Sequence, residues 1–568
     1  MGRHRNSGPA GTCERSGSAR AALGGGYHAR VPRTLRRPLG IALVVTAALA
    51  VPGAAQGAAL RFPRGFAWGV ATAGFQSEMG RGRDLDRGSD WWAWTHDPAN
   101  IADGHTSGDQ PENGPGFWRR GASDVALARG LGATTFRLSI EWSRIFPRST
   151  AGVRTGAVVG AGALRRLDRL ADPRALAHYR ALLARIRAAG MTPLVTLQHF
   201  TLPRWLHDPI AVRDRLNGID PNAALPKLAR GGWLDPASVT EFRKYAAYLG
   251  WKLGGLVDDW TPINEPMVEA TYGYVNIPGA FAGYFPPGAF SYTAAITAVQ
   301  NLARANAAAY DALKRWDRVD AGGDRARARV GVVQNMIAFT PADPGSAVDI
   351  AATRHADYLF NRLFLDAAVK GIYDVNANGV VDAGERHPAL AHKADFVGVN
   401  YYFRGRVTGL GASLTPRIGV LDFLPQTSYR SALAPNAPAC PATCSEFGSE
   451  IYPDGFAAVL KTAASYGLPL IVTENGIADA GDTLRPRYLV QHLRVLQHAI
   501  AQGIDVRGYV AWSLTDNLEW VAGYAPKFGL YSFDPRTLAR RPRAASVAVF
   551  RAVARADGIP ASLVTRYG

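Results

Sequence analysis

The chain has 568 residues, of which 47% are hydrophobic, 10% aromatic and 19% charged. That balance excludes an intrinsically disordered chain and allows one large cored domain or several ordinary ones. The formal charge is +18, but residues 1–57 hold eight arginines and one glutamate, so +11 remains on the rest; with no basic run interleaved with aromatics, nucleic acid is not an expected partner.

Taken in order, the chain opens on a segment unlike the remainder. Arg36-Arg37 precedes an apolar run from Leu39 to Val51, and the small residues Pro52 to Ala58 follow. A charged region, an apolar region and a small-residue zone predict an export leader over 1–57, cut between Ala55 and Ala58. The arginine pair is also the mark of twin-arginine export. The apolar run is too short for a membrane span. The expectation is a secreted protein with no membrane association after cleavage, consisting of residues 58–568.

From there, short apolar runs alternate with helical patterns. Strands are predicted at Phe66–Thr72, Thr134–Ile140, Thr192–Gln198, Val257–Ile263, Arg329–Asn335, Asp395–Asn400, Leu468–Thr473 and Arg507–Ser513. Between them, Asp172-Pro173 opens a helix that Gly190 ends, Asp235-Pro236 opens another through Leu253, and Ser291 to Trp316 is a long alanine-rich amphipathic pattern. Eight strand–helix units predict a parallel (β/α)8 barrel, a single TIM-barrel domain whose site forms at the carboxyl ends of the strands. Long βα loops after the first, second and sixth strands would shape the cleft.

The strand ends carry a consistent chemistry. Val257–Ile263 stops at Asn264-Glu265-Pro266, because proline cannot continue a ladder. Leu468–Thr473 closes on Glu474-Asn475-Gly476. Two glutamates at the ends of two buried strands are what a two-carboxylate mechanism needs. The other ends supply Gln76 and Glu78; Arg137, Glu141 and Trp142; His199 and Phe200; Asn400, Tyr401 and Tyr402; and Trp512, Glu519 and Trp520. Amides and carboxylates bind hydroxyls in pairs, and indole faces stack on sugar rings. Thirteen tryptophans fit that reading, and no Ser-His-Asp arrangement, cysteine nucleophile or glycine-rich phosphate loop competes with it. The chemistry points to carbohydrate cleavage without a catalytic cofactor.

These residues stand in motifs that resemble the family 1 glycoside hydrolases. Gly74-Phe75-Gln76-Ser77-Glu78, Arg137-Leu138-Ser139-Ile140-Glu141-Trp142, Thr261-Pro262-Ile263-Asn264-Glu265-Pro266, Gly398-Val399-Asn400-Tyr401-Tyr402, Thr473-Glu474-Asn475-Gly476 and Trp512 to Trp520 carry the likeness from Phe62 to about Pro542. Pro111 to Gly116 and Leu202 to Pro209 are similar to the archaeal β-glycosidase branch. The resemblance implies a retaining exo-β-glycosidase acting on terminal glucosyl, galactosyl or fucosyl residues of small β-glycosides. Glu265 would be the acid/base, its pKa raised by the charge of Glu474, and Glu474 the nucleophile, with the carboxyl groups roughly 5–5.5 Å apart. Asn264 would hold the 2-hydroxyl; Gln76, His199 and Glu519 the outer hydroxyls; Trp512 and Trp520 the ring. Arg137, Asn400 and Tyr402 would support the glutamates. A transglycosidase uses the same residues, and a silent sugar-binding pseudoenzyme usually lacks one glutamate. Glu519-Trp520 argues against the 6-phospho-glycosidases. Gln198 and Phe200 depart from the family, which more often has an aromatic and a tryptophan around the histidine. Oligomeric state is not legible.

Two features lie outside the resemblance. Asp374, Asn376, Asn378, Val380, Asp382 and Glu385, with Gly379 at the sixth position, fit the spacing of a twelve-residue calcium loop after a helical pattern from Asp357 to Gly371. A structural Ca2+ is therefore expected there. Cys440 and Cys444 are spaced for a disulfide, the default in an exported protein, while Cys13 lies in the leader.

Overall fold

The computed structural model describes residues 59–276, 283–324 and 327–568; the predicted leader, 1–57, lies outside the described residues. The eight predicted runs are the strands β1 (Ala67–Ala71), β2 (Thr135–Ser139), β3 (Thr192–Gln198), β4 (Asp259–Ile263), β5 (Arg329–Asn335), β6 (Phe396–Tyr401), β7 (Leu470–Asn475) and β8 (Val506–Ala511). Each pairs in parallel with the next, and β8 closes on β1. The strands are buried on both faces, as covered parallel strands must be. One boundary differs with consequence. Glu474 was expected to close β7 from outside, but it pairs with Asn400 within the ladder, and Asn475 pairs with Tyr401.

The helices that cover the barrel begin where their caps require. In α1 (Pro173–Ala188) the Asp172 carboxylate accepts the N–H groups of Arg174 and Ala175, and Gly190 ends the turn at φ 77°. In α2 (Ala237–Leu253) the Asp235 carboxylate accepts Ala237 N–H at 2.9 Å. Helix α3 (Pro266–Tyr274) starts directly from β4. Helix α4 (Tyr292–Trp316), capped by Ser291, lays its alanine-rich face on α2; small side chains let the two backbones approach. The main core cluster includes Trp68, Trp142, Trp233 and Trp260, all almost wholly buried, and two smaller clusters, around Trp91 and Trp520 and around Val510 and Trp512, lie beside it.

Loops after β1, β2 and β6 are long, as expected. The sequence pattern did not foretell a small sheet above the barrel, made by Ala338–Pro341, Arg404–Gly409 and Phe423–Gln426. Its Pro425 lines the cleft. Cys440 and Cys444 are bonded in the same long loop after β6, with Cα atoms 6.1 Å apart.

Candidate active site

At the carboxyl ends of the strands lies a cavity of about 430 Å3, lined among others by His199, Asn264, Glu265, Tyr402, Glu474, Trp512, Glu519 and Trp520. Arg137, Asn400 and Gln76 are buried beside these residues. Every predicted sugar-site residue thus converges on one region. The predicted calcium loop does not line it.

Glu474, within β7, is gripped by two donors. Arg137 donates from Nη1 to Glu474 Oε1, and the Tyr402 hydroxyl donates to Oε2. Arg137 is itself buried and reaches across from β2 to this carboxylate on the cavity wall. A buried guanidinium and a phenol donor both favour the ionised carboxylate. The second Arg137 nitrogen donates to Asn264 Oδ1 at 2.7 Å, which ties the amide beside Glu265 to the partner of Glu474.

Glu265 is treated differently. Among the described residues it meets no cation directly. Asn400 Nδ2 donates to its Oε1 at 2.5 Å and Asn335 Nδ2 to the same atom at 3.1 Å. Burial is the main cause that pushes its pKa well above 4.5, and the charge of Glu474 adds to it. This corrects the ranking expected above, where the neighbouring charge was the sole cause. Both amides converge on Oε1, so the proton of the acid form belongs on Oε2. The backbone of Glu265 is left-handed, φ 48° and ψ 58°, with Pro266 fixing the first helical turn behind it. Phe200 at φ 67° and Trp520 at φ 51° share that uncommon conformation.

The remaining groups suit a polar ring. Gln76 spends its Nε2 on Asn517 Oδ1 and the Leu518 carbonyl, at 3.1 and 2.9 Å, leaving Oε1 buried without a partner. Glu519 Oε2 is likewise buried and unpartnered, and burial pushes that carboxyl up to about 8. Buried polar atoms without partners are costly unless a ligand satisfies them. The His199 ring lies nearly parallel to the indoles of Trp512 and Trp520, at centroid distances of 5.8 and 5.9 Å. Burial and then Arg137 hold its pKa well below 6.5. The neutral ring can therefore accept at Nε2, which lies 3.4 Å from Asn264 Nδ2.

With this geometry in place, comparison with known proteins decides the family. The sequence model of glycosyl hydrolase family 1 matches residues 58–215 and 220–559. The chain belongs to glycosyl hydrolase family 1. It is similar to the β-galactosidase of Pyrococcus woesei, 38% identical over 517 residues, covering 88% of this chain and 98% of that one. A Sulfolobus acidocaldarius β-galactosidase is 37% identical, with 89% and 97% covered. The crystal structure of the β-glycosidase from the hyperthermophile Thermosphaera aggregans superposes with a TM-score of 0.76 at 37% identity, covering 89% of this chain and 99% of that one. The resemblance to the archaeal branch is borne out, and the chain is an O-glycoside hydrolase.

Three site residues escaped the sequence reading. Asn335, at the end of β5, had no assigned role, yet it donates to Glu265; the signal was an asparagine near the carboxyl end of a buried strand, as Asn400 is in β6. Glu269, on α3, accepts Gln198 Nε2 at 3.0 and 3.2 Å and Trp233 Nε1 at 2.7 Å. The unusual glutamine before His199 thus has a carboxylate of its own. Glu141, noted only as standing at a strand end, accepts Phe75 N–H at 3.0 Å and the Thr201 hydroxyl at 2.8 Å. It joins the segment carrying Gln76 to the loop carrying His199.

The 374–385 loop folds tightly upon itself. Asp374 accepts N–H groups from Asn378 and Gly379 and the Tyr358 hydroxyl. Both oxygens of Glu385 are taken, one by Val375 N–H and one by Asp382 N–H, each at 2.8 Å. Among the described residues no group of three acidic, histidine or cysteine side chains converges to hold a metal ion.

Proposed function

We propose that this family 1 enzyme is a retaining exo-β-glycosidase that removes terminal β-glucosyl, β-galactosyl or β-fucosyl residues from small glycosides. One observation carries the reading: two glutamates face one cavity, one gripped by a buried guanidinium and a phenol, the other met only by amides and pushed toward its protonated form. Glu265 gives its proton to the departing oxygen while Glu474 attacks the anomeric carbon. Glu265, now a base, takes a proton from a water whose oxygen bonds to the anomeric carbon as its bond to Glu474 breaks, which frees the Glu474 carboxylate and releases the sugar with its configuration retained. Asn264, oriented by Arg137 and Asn400, holds the 2-hydroxyl, where contacts strengthen in the transition state. The unpartnered oxygens of Gln76 and Glu519 supply acceptors for outer hydroxyls. The names of the archaeal relatives support galactosides, and the chemistry of the site suits glucosides equally, since Gln76 and Glu519 offer acceptor oxygens to the outer hydroxyls of either epimer. An aryl glycoside assay on Glu474→Gln tests the assignment: turnover should vanish, and near-normal rates would refute it.

Export with removal of a leader is part of the same proposal, resting on the charged, apolar and small-residue order of 1–57; an intact Met1 on secreted protein would overturn the cleavage, and protein retained inside the cell would overturn the export. Calcium binding at 374–385 rests on spacing. It requires Glu385 to leave the two N–H groups it now accepts and turn inward. Calorimetry on chelator-treated protein that finds no heat of calcium binding would end that proposal.

A further inference from the structure

Glu269 is a buried carboxyl that the mechanism does not use. It stands one turn after Glu265 on α3, and its N–H donates to the Glu265 carbonyl at 3.2 Å. It is not on the cavity wall. Its side chain meets Gln198, at the end of β3, and Trp233, in the turn Gly232–Leu234.

These contacts contain a mismatch. Gln198 Nε2 is shared between both carboxyl oxygens, at 3.2 Å from Oε1 and 3.0 Å from Oε2, while Trp233 Nε1 donates to Oε1 at 2.7 Å. Gln198 Oε1, on the same amide, is buried without a partner. Among the described residues the charge that acts on Glu269 is Asp90, which is itself held by His207 at 2.7 Å. Tyr274, from the same helix, is kept neutral by burial and adds no charge. An ionised Glu269 is therefore a buried charge with no counter-ion, beside an amide oxygen with no donor. One proton on Oε2 removes both faults. With a small turn of the amide, Oε2–H donates to Gln198 Oε1, Gln198 Nε2 donates to Oε1, and Trp233 keeps its bond. Burial pushes this carboxyl up to about 8 against the two donors, with Asp90 adding to the rise.

The pair spans two segments of the sugar site. The Gln198 carbonyl accepts Asn264 N–H at 2.9 Å. The next residue, His199, places Nε2 3.4 Å from Asn264 Nδ2. Gln198 is thus tied by its backbone to the residue before Glu265 and by its side chain to the helix after it. Held at both points, the end of β3 cannot rotate, and the His199 ring stays parallel to Trp512 and Trp520. The glutamine that departs from the family pattern is half of this device.

We infer that Glu269 is a positioning residue: as a neutral acid bonded to the Gln198 amide, it fixes His199 against Asn264 and so aligns the sugar with Glu265. The inference rests on the proposed roles of His199 and Glu265.

The test is kcat and KM on an aryl β-glucoside with the whole protein. Glu269→Ala and Gln198→Ala should each lower kcat/KM by roughly 10- to 100-fold, and together by little more than either alone, since both break one pair. Glu269→Gln offers a donor and an acceptor without charge and should restore most of the rate. In a His199→Ala background the Glu269→Ala loss should vanish, whereas damage to the fold at large would persist there. If Glu269→Ala does not fold, Gln198→Ala carries the same comparison. An infrared difference spectrum, wild type minus Glu269→Gln at pH 6, should show a carboxylic acid C=O band and no carboxylate pair. A Glu269→Gln loss equal to that of Glu269→Ala, or a carboxylate pair in the spectrum, overturns the neutral pair. Full activity in Glu269→Ala, or a loss that persists without His199, overturns the positioning role and leaves the assignments of His199 and Glu265 standing. An unchanged rate in His199→Ala overturns His199 as a sugar contact, and this inference with it.

Discussion

Asn335 offers the sharpest test of how Glu265 is tuned. Its amide donates to Glu265 Oε1 at 3.1 Å, beside the 2.5 Å bond from Asn400. A hydrogen bond to a charged acceptor contributes about 1.5–3 kcal/mol, against about 0.5–1.5 kcal/mol for a neutral one. Asn335→Ala therefore destabilises the ionised form of Glu265 by about 1–1.5 kcal/mol more than the protonated form, which is about one pKa unit. The sign follows from the roles. The acid must be protonated to begin the reaction, so the basic limb of kcat/KM moves about one unit to higher pH. The same change makes Glu265 ionise less readily in the glycosyl-enzyme, so kcat at neutral pH falls. The assay is a pH profile of kcat/KM on an aryl β-glucoside from pH 4 to 10, wild type against variant, with thermal melting to verify the fold. A basic limb that stays where it was, in a folded variant with reduced activity, would refute the argument. Asn335 would then position Glu265 without tuning it.

Tyr402→Phe removes one of the two groups that hold Glu474 anionic; loss of a charge-assisted hydrogen bond of about 1.5–3 kcal/mol should slow formation of the glycosyl-enzyme by about 10- to 100-fold, measurable as single-turnover release of an aryl leaving group. Glu519 is fully buried and held near 8, so the folded protein keeps a proton there that the unfolded chain loses above about 4.5. Its contribution to stability is present below that pH and lost as pH rises toward 8. Buried histidines such as His492, held down near 3, act in the opposite sense, so the useful quantity is a difference. The melting temperature of Glu519→Gln relative to wild type should climb between pH 5 and 8, and a constant difference would contradict the assignment. Glu141→Ala should raise KM for glucosides more than it lowers kcat, because it frees the segments bearing Gln76 and His199 together; Glu141→Gln, which keeps an acceptor oxygen, should recover most of the loss.

The barrel was legible because each strand is a short apolar run between capped helices, and burial on both faces leaves no other use for such runs. Asn264 and Glu265 were legible because Pro266 forces the strand to stop where chemistry begins. Asn335 was not, because an asparagine at a strand end is as common in turns as in sites; only the fold brings β5 beside β4 and shows what the amide reaches. Glu269 was hidden in a different way. Nothing local says that a carboxyl one turn beyond Glu265 faces Gln198 and Trp233 from another unit. The small sheet over the cleft was missed because its strands are four to six residues long and only partly buried, so they show neither clear alternation nor an apolar run.

The left-handed backbones at Phe200, Glu265 and Trp520 set a limit on engineering. An L side chain with a Cβ pays about 1–3 kcal/mol to sit in such a region, a sum that glycine avoids. Any search for hardier variants that scores heat resistance alone will be drawn to glycine or asparagine at these three positions. The survivors should outlast the parent in a hot tube and do less work in it, because what they have relaxed is the frame that holds the proposed acid Glu265 and the indole of Trp520 on the cavity.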